Sequence, residues 1–229
     1  MTAWAEAMEA TWPPFAVREL GPWRLRDGAG GGKRVSAATV HGAWTAEDLA
    51  LAEAAMGARP LFQIRAGDAA LDAALAARGY VLIDPVVVYA APVTVFDPPP
   101  RLTTFPHWPP LEIAHDLWAE GGIGPARLAV MQRVRGPKVA ILARSADRVA
   151  GAAFVALHGT VAMLHALEVT AALRRQGCAR NILHAAAVWA GGAGADTLAL
   201  AVTEANAAAR NLYASLGMQV VGHYHYREK

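Results

Sequence analysis

Residues 167–179 read Leu167-Glu168-Val169-Thr170-Ala171-Ala172-Leu173-Arg174-Arg175-Gln176-Gly177-Cys178-Ala179, and this stretch decides the fold. A short apolar strand runs into a basic turn containing a glycine, and the turn opens a long alanine-rich helix. The first turn of a helix leaves backbone N–H groups without intrahelical partners, at the positive end of the helix dipole. Arg174 and Arg175 add side-chain charge beside them. Gly177 and Ala179 carry no bulk that would keep a ligand from the backbone. Strand, basic turn and helix start together predict a phosphate-binding turn.

Downstream, Ile182, Leu183, Ala186, Ala187 and Ala190 recur at helical spacing, and Gly191-Gly192 is the expected stop. A strand follows at Leu198–Val202, then Thr203-Glu204-Ala205-Asn206, and then a second helix that ends at Gly217. Two patterns stand out. One is Arg174-x-x-Gly177-x-Ala179. The other is Asn206-x-x-Ala209-x-x-x-Tyr213-x-x-x-Gly217-Met218. In order and separation they resemble the two signatures of the GNAT N-acetyltransferase superfamily, with Met218 in place of the usual aromatic residue.

That resemblance implies an α/β fold, with a GNAT-type mixed central sheet flanked by helices, and acetyl-CoA as cosubstrate. It assigns the CoA pyrophosphate to the backbone of Arg175, Gln176, Gly177, Cys178 and Ala179, helped by Arg174. In the family the strand ending at Val169 splays from its neighbour near Val202, so Leu167 and Val169 offer backbone groups to the pantetheine arm as an added strand would. Asn206 contacts the CoA arm or simply caps its helix.

The chemistry required is attack of a neutral amine on a thioester. Tyr213 lies seven residues after Asn206, nearly two helical turns, so both project from one face. A tyrosine with a pKa near ~10 donates to a departing thiolate with a pKa near ~8.5; a core tyrosine with a satisfied hydroxyl is the plainer reading. His165 lies four residues before Val169, and strand alternation puts it on the face of Leu167 and Val169. It matches one of two strand histidines found in some family members, and the other falls on Met163. Imidazole suits proton removal, while a buried, hydrogen-bonded histidine explains the residue equally well. By the same alternation Glu168 points to the opposite face, as a weaker base or half of an ion pair. The acceptor pocket is expected from Trp118, Ile123, Gly124 and Met131, although Trp118 and Met131 fit a core equally.

Composition sets the outer bounds. At 229 residues, 55% hydrophobic and 17% charged, the chain buries a full core rather than remaining disordered. A net charge of +2 without a long basic run points away from nucleic acid. A lone cysteine, Cys178, gives no disulfide framework and is a poor nucleophile beside a pyrophosphate. The histidines show no metal-ligand spacing, so no metal is expected. No apolar run approaches the ~20 residues of a membrane span, and residues 1–14 lack a signal-peptide core; a cytoplasmic location is the expectation.

Pro92, Pro98, Pro99, Pro100, Pro106, Pro109 and Pro110 crowd one stretch. It divides the chain into an N-terminal part (1–95), an extended proline-rich linker (96–110) and a catalytic part (111–229). In the catalytic part, helices are expected at 111–119 and 126–135, and strands at 138–143, 149–157 and 161–169. The N-terminal part reads as a worn copy. Asp68 to Leu82 aligns without a gap on Asn206 to Val220, placing Gly79 on Gly217, Tyr80 on Met218 and Leu75 on Tyr213. It has no counterpart of the basic glycine turn. Gly28-Ala29-Gly30-Gly31-Gly32-Lys33 suggests a nucleotide-binding loop but lacks its first glycine and the Ser/Thr after lysine, so it reads as a hairpin. The two pseudo-repeated halves would leave a monomer, as an internal pseudo-dimer, or a homodimer with one site per chain, serving acetyl-CoA and an amine acceptor. An acyl-CoA-binding sensor without turnover is the alternative.

Overall fold

A computed structural model describes residues 2–229. Along the chain run α1 (Ala3–Thr11), β1 (Ala16–Leu20), β2 (Trp23–Asp27), β3 (Thr39–Val40), α2 (Ala46–Met56), β4 (Leu61–Arg65), α3 (Ala69–Ala77) and β5 (Val81–Pro92). Then come β6 (Thr104–His107), α4 (Glu112–Glu120), α5 (Pro125–Arg133), β7 (Lys138–Ser145), β8 (Arg148–His158) and β9 (Val161–Val169). The chain closes with α6 (Cys178–Gly192), β10 (Thr197–Thr203), α7 (Ala207–Ser215) and β11 (Gln219–Glu228). Among the described residues no helix is long and apolar enough to cross a membrane.

The chain divides into two compact units, and neither is continuous in sequence. One contains residues 2–13, Tyr89–Ala201 and Ala208–Val220; the other contains Pro14–Val88, Val202–Ala207 and Val221–Lys229. The division therefore differs from the expected 1–95 and 111–229. The first helix belongs with the later part of the chain, and the last strand contributes mostly to the unit built from the earlier part. The proline-rich stretch is more than a linker. β6 lies inside it and pairs antiparallel with β7, from Thr104↔Ala143 to His107↔Ala140. Pro106 fits there because β6 is an edge strand, where a missing N–H costs no ladder bond.

In the first unit β6, β7, β8 and β9 form an antiparallel run, and β10 joins β9 in parallel. Both faces of β8 and β9 are apolar, so both need a cover. Phe154 faces α1 through its ring contact with Trp12. Val155 and Leu164 on the other face are equally buried, and α6 packs against β7, β8 and β9 to cover them. Ala185, Ala186, Ala187 and Ala190 let α6 approach closely. α6 ends at Gly192, with Ala193 as its C-cap residue, so the two glycines close the helix as expected. Gly194 takes the left-handed conformation (φ 95°), and Ala195 N–H returns to Ala190 O at 2.9 Å.

The second unit holds the antiparallel sheet β1-β2-β3 and the antiparallel pair β4–β11, registered from Leu61↔Glu228 to Arg65↔Tyr224. Trp23, Phe62, Leu71, Leu75 and Tyr80 form its core. The glycine stretch is a local turn that leads from β2 into a 3-10 turn at Lys33–Val35, rather than the tip of a hairpin. Ala29 N–H donates to Asp27 Oδ1 at 2.8 Å, Gly31 N–H donates to Gly28 O at 2.9 Å, and Lys33 pairs with Asp84 at 2.6 Å.

The gapless alignment has a local structural counterpart. Tyr80 N–H bonds Leu75 O and Met218 N–H bonds Tyr213 O, each at 3.1 Å; Gly79 N–H bonds Ala76 O and Gly217 N–H bonds Ala214 O, each at 3.0 Å. Both glycines are left-handed (φ 84° and 78°), and a strand opens two residues later in each case.

Candidate active site

β9 carries the centre of the site, and its geometry turns on one residue. Phe154 pairs with His165 and Ala152 with Glu168, so one residue of β8 opposes Ala166 and Leu167 of β9. Ala166 sits at φ 51°. This is a β-bulge, and beyond it the alternation of faces slips by one. Paired residues share a face, and Ala152 shares one with Phe154. Glu168 therefore lies on the face of His165, and Val169 on the other. This corrects the alternation that grouped His165 with Leu167 and Val169 and sent Glu168 away. The correction has an independent check: a Cβ on Gly121, at the end of α4, would come within 2.5 Å of the Glu168 side chain. The indole of Trp118, also on α4, donates to Ala166 O at 2.8 Å and ties down the bulge.

The same region is where β9 and β10 part. Their parallel register runs from Val161↔Thr197 to Leu164↔Leu200 and goes no further. Thr170 N–H turns back to Ala150 O of β8 at 2.9 Å, and the Glu168 carbonyl lies against Gly151 of β8. The N–H and C=O of Val169, between them, face away from β8 toward the open side. Of the two residues expected to present backbone to a ligand, Val169 thus has its N–H and C=O on the open side.

The turn that follows ends at α6 without a side-chain cap. Gly177 is the left-handed N-cap residue (φ 83°), and no acidic residue stands in the first turn. Arg175 is also left-handed (φ 63°), and Arg174, Arg175, Gln176 and Gly177 are exposed. A Cβ on Gly177 would meet nothing within 4 Å, so space lies open in front of the helix start. Ser145 Oγ donates to Gln176 Oε1 at 3.0 Å, tethering the turn to the β7–β8 hairpin. Cys178 is buried with its thiol toward Leu173 O, and Ala179 is half-buried.

His165 is 5% exposed. Its Nε2 lies 2.8 Å from Thr11 Oγ1, and that hydroxyl spends its proton on Ala7 O at 2.6 Å. Nε2 is therefore the donor, and a proton taken from an amine would have to arrive at Nδ1. Trp12 and Phe154, in contact with each other, both pack on the ring at centroid distances of 5.0 and 6.3 Å. Nothing local in the sequence signals that the first helix supplies this setting.

Tyr213 on α7 is 5% exposed and packs on Tyr89, with ring centroids 5.6 Å apart. Burial, then the neighbouring Tyr89, pushes its pKa up to about 12, so the hydroxyl stays a proton donor well past neutral pH. Asn206 is exposed immediately before α7, its N–H on Thr203 O at 3.0 Å. Trp118 and Met131 are 0% and 1% exposed and offer no surface to an acceptor. Ile123 is buried, with its N–H on Trp118 O at 2.7 Å, and Gly124 is the N-cap residue of α5. Among the described residues no three His, Cys, Asp or Glu side chains gather as a metal site.

The sequence model of the acetyltransferase (GNAT) family matches residues 106–218. No curated protein matches the chain. Among solved structures, the chain is similar to a GCN5-related N-acetyltransferase from Kribbella flavida: TM-score 0.72, 17% identity, 98% of this chain and 93% of that one. A functionally unknown conserved protein from Staphylococcus epidermidis aligns with TM-score 0.69 at 9% identity, over 95% and 94% of the two chains. A tandem GNAT protein from the clavulanic acid biosynthesis pathway aligns with TM-score 0.61 at 18% identity, over 90% of this chain and 77% of that one. At these identities the likeness is one of fold.

Proposed function

The chain belongs to the GNAT acetyltransferase family through residues 106–218, and from that premise we propose that it moves an acetyl group from acetyl-CoA to a primary amine at one site, on β9, the turn 170–177 and α7. The observation that carries this reading is the opening of β9 from β10 after Leu164, directly before a helix start that no side chain caps. The residues fit the cosubstrate. Unpartnered helix N–H groups at Cys178 and Ala179, with Arg174 and Arg175, suit a pyrophosphate. The edge of β9 that β10 leaves unpaired at Leu167 and Val169 suits the two amides of a pantetheine arm.

Acetyl-CoA supplies an activated acetyl group on a thioester. The chain's own part is to hold the thioester at the bulge, take a proton from the amine and give one to the leaving sulfur. Tyr213 is the proton donor: burial keeps its hydroxyl in the protonated form at neutral pH, ready to hydrogen-bond the leaving sulfur. Glu168 and His165 share a face beside the bulge and are the groups to receive the amine's proton, His165 through Nδ1.

The enclosure of His165 by Thr11 and Trp12 favours a second reading, an acyl-CoA sensor without turnover. Calorimetry with acetyl-CoA, followed by an amine-library screen with thiol-release detection, tests both. One equivalent bound with amine-dependent thiol release supports the enzyme. Binding without release across the library supports the sensor, and no binding removes both.

A further inference from the structure

The edge of β9 assigned to the pantetheine arm is already engaged by a side chain. Arg174 folds back across it: Nε donates to Val169 O at 3.0 Å, and Nη2 reaches Glu168 Oε1 at 3.3 Å. The Val169 carbonyl faces the open side of the strand, so Arg174 holds an acceptor that a ligand laid along this edge would use. The residue that the sequence assigns to the pyrophosphate instead sits on the site of the next part of the same ligand.

We propose that Arg174 is a placeholder, bonded to the open edge of β9 until a phosphorylated ligand draws its guanidinium toward the start of α6. This rests on the acyl-CoA reading above and adds an order of events to it. The exchange is favourable on general grounds. In its present position the guanidinium makes one bond to a neutral carbonyl and one long contact with a carboxylate. Its side chain is 60% exposed, so solvent weakens that ion pair. A diphosphate offers shorter, charge-assisted and bidentate partners. Arg174 lies three residues before Gly177, so a movement within its own turn connects the two positions. Glu168 is the counterweight, because its carboxylate helps to keep Arg174 on the strand.

The consequence is a difference in sign between ligands. CoA brings the diphosphate that removes Arg174. Pantetheine presents the same amides without phosphate and must compete with the guanidinium for Val169 O. The experiment titrates the full chain with CoA by calorimetry and with pantetheine by saturation-transfer NMR, in wild type, R174A, R174K and E168Q, with thermal melts to confirm folding. R174A is expected to weaken CoA about tenfold and to tighten pantetheine about threefold. R174K lacks the planar fork and should move both ligands in the same directions by less. E168Q loosens Arg174 and should tighten both ligands about twofold. CoA binding with pantetheine unchanged or weakened in R174A overturns the placeholder while leaving the functional reading intact. Failure of the wild type to bind CoA overturns that reading and this inference with it.

Discussion

Helices α2 and α6 stand at the same place in two successive runs of helix, strand, helix, left-handed glycine and strand, and their first turns are chemical opposites. At α2, Thr45 accepts from Asp48 N–H while Asp48 Oδ2 accepts from Thr45 N–H at 2.8 Å, a closed capping box, with Glu47 and Asp48 both in the first turn. At α6 the N-cap is a left-handed glycine, no side chain caps it, and two arginines precede it. At α2 the chain's own carboxylate satisfies the positive end of the helix, whereas at α6 no side chain caps the first N–H groups. The downstream helices repeat the contrast. Their caps agree bond for bond, yet Leu75 is a core residue packed with Phe62 and Tyr80, where Tyr213 carries a hydroxyl.

The largest effect expected along this contrast is at the Tyr213 hydroxyl. Tyr213→Phe should lower turnover about 10²- to 10⁴-fold while acetyl-CoA affinity stays within about threefold. Stopped-flow thiol release against calorimetry separates the two quantities. Because burial raises the Tyr213 pKa to about 12, the acid form persists above the usual tyrosine range. The kcat/KM profile should therefore show no fall from this group between pH 8 and 10. A fall there that vanishes in Tyr213→Phe would contradict the assignment.

Next in size is the bulge. Trp118→Phe leaves the Ala166 carbonyl without its indole donor, a loss of about 1–3 kcal/mol in a buried setting. Turnover should drop about tenfold with little change in CoA affinity, and Trp118→His should recover part of it by restoring a donor. Equal loss of turnover and affinity in both variants would make Trp118 only a packing residue.

His165→Gln tests a smaller effect, a pH limb rather than the rate at its plateau. If Nδ1 receives the amine's proton, kcat/KM rises with pH through an apparent pKa that disappears in the variant and does not move with acceptor pKa. A limb that follows the acceptor and survives in His165→Gln leaves the histidine to its Thr11 bond and its aromatic neighbours.

The smallest effect belongs to the capped helix. Thr45→Ala should cost about 1 kcal/mol of stability, read as a modest fall in Tm, and leave CoA binding untouched. A loss of CoA affinity in Thr45→Ala would mean that α2 also takes part in a phosphate site, and the contrast between the two helix starts would fail.

What the sequence revealed follows from the range of each signal. The turn 170–177, the caps at Gly79 and Gly217 and the strands expected at 138–143, 149–157 and 161–169 are local, and their residues announced them to within two residues. The break expected between the strands 138–143 and 149–157 is a tight turn in which Ala146 and Asp147 take positive φ. The bulge at Ala166 was not legible, because alanine carries no mark of a left-handed conformation, and a slip of one residue reverses every later face of the strand. The pairing of β6 was hidden by prolines that an edge strand tolerates. The contacts of Tyr89 with Tyr213 and of Thr11 with His165 join residues remote in sequence, so no spacing could have shown them.

The central claim is that one helix start per chain is open to a phosphorylated ligand and the other is closed. Calorimetric titration of wild type and Gly177→Val with CoA tests it most directly. Valine at this position meets a left-handed backbone (φ 83°) that it tolerates poorly, and it fills the space in front of the helix start. One equivalent of CoA per wild-type chain, with affinity reduced at least about a hundredfold in a folded Gly177→Val, is the result the account predicts. Two equivalents per chain, or unaltered affinity in the variant, would contradict it.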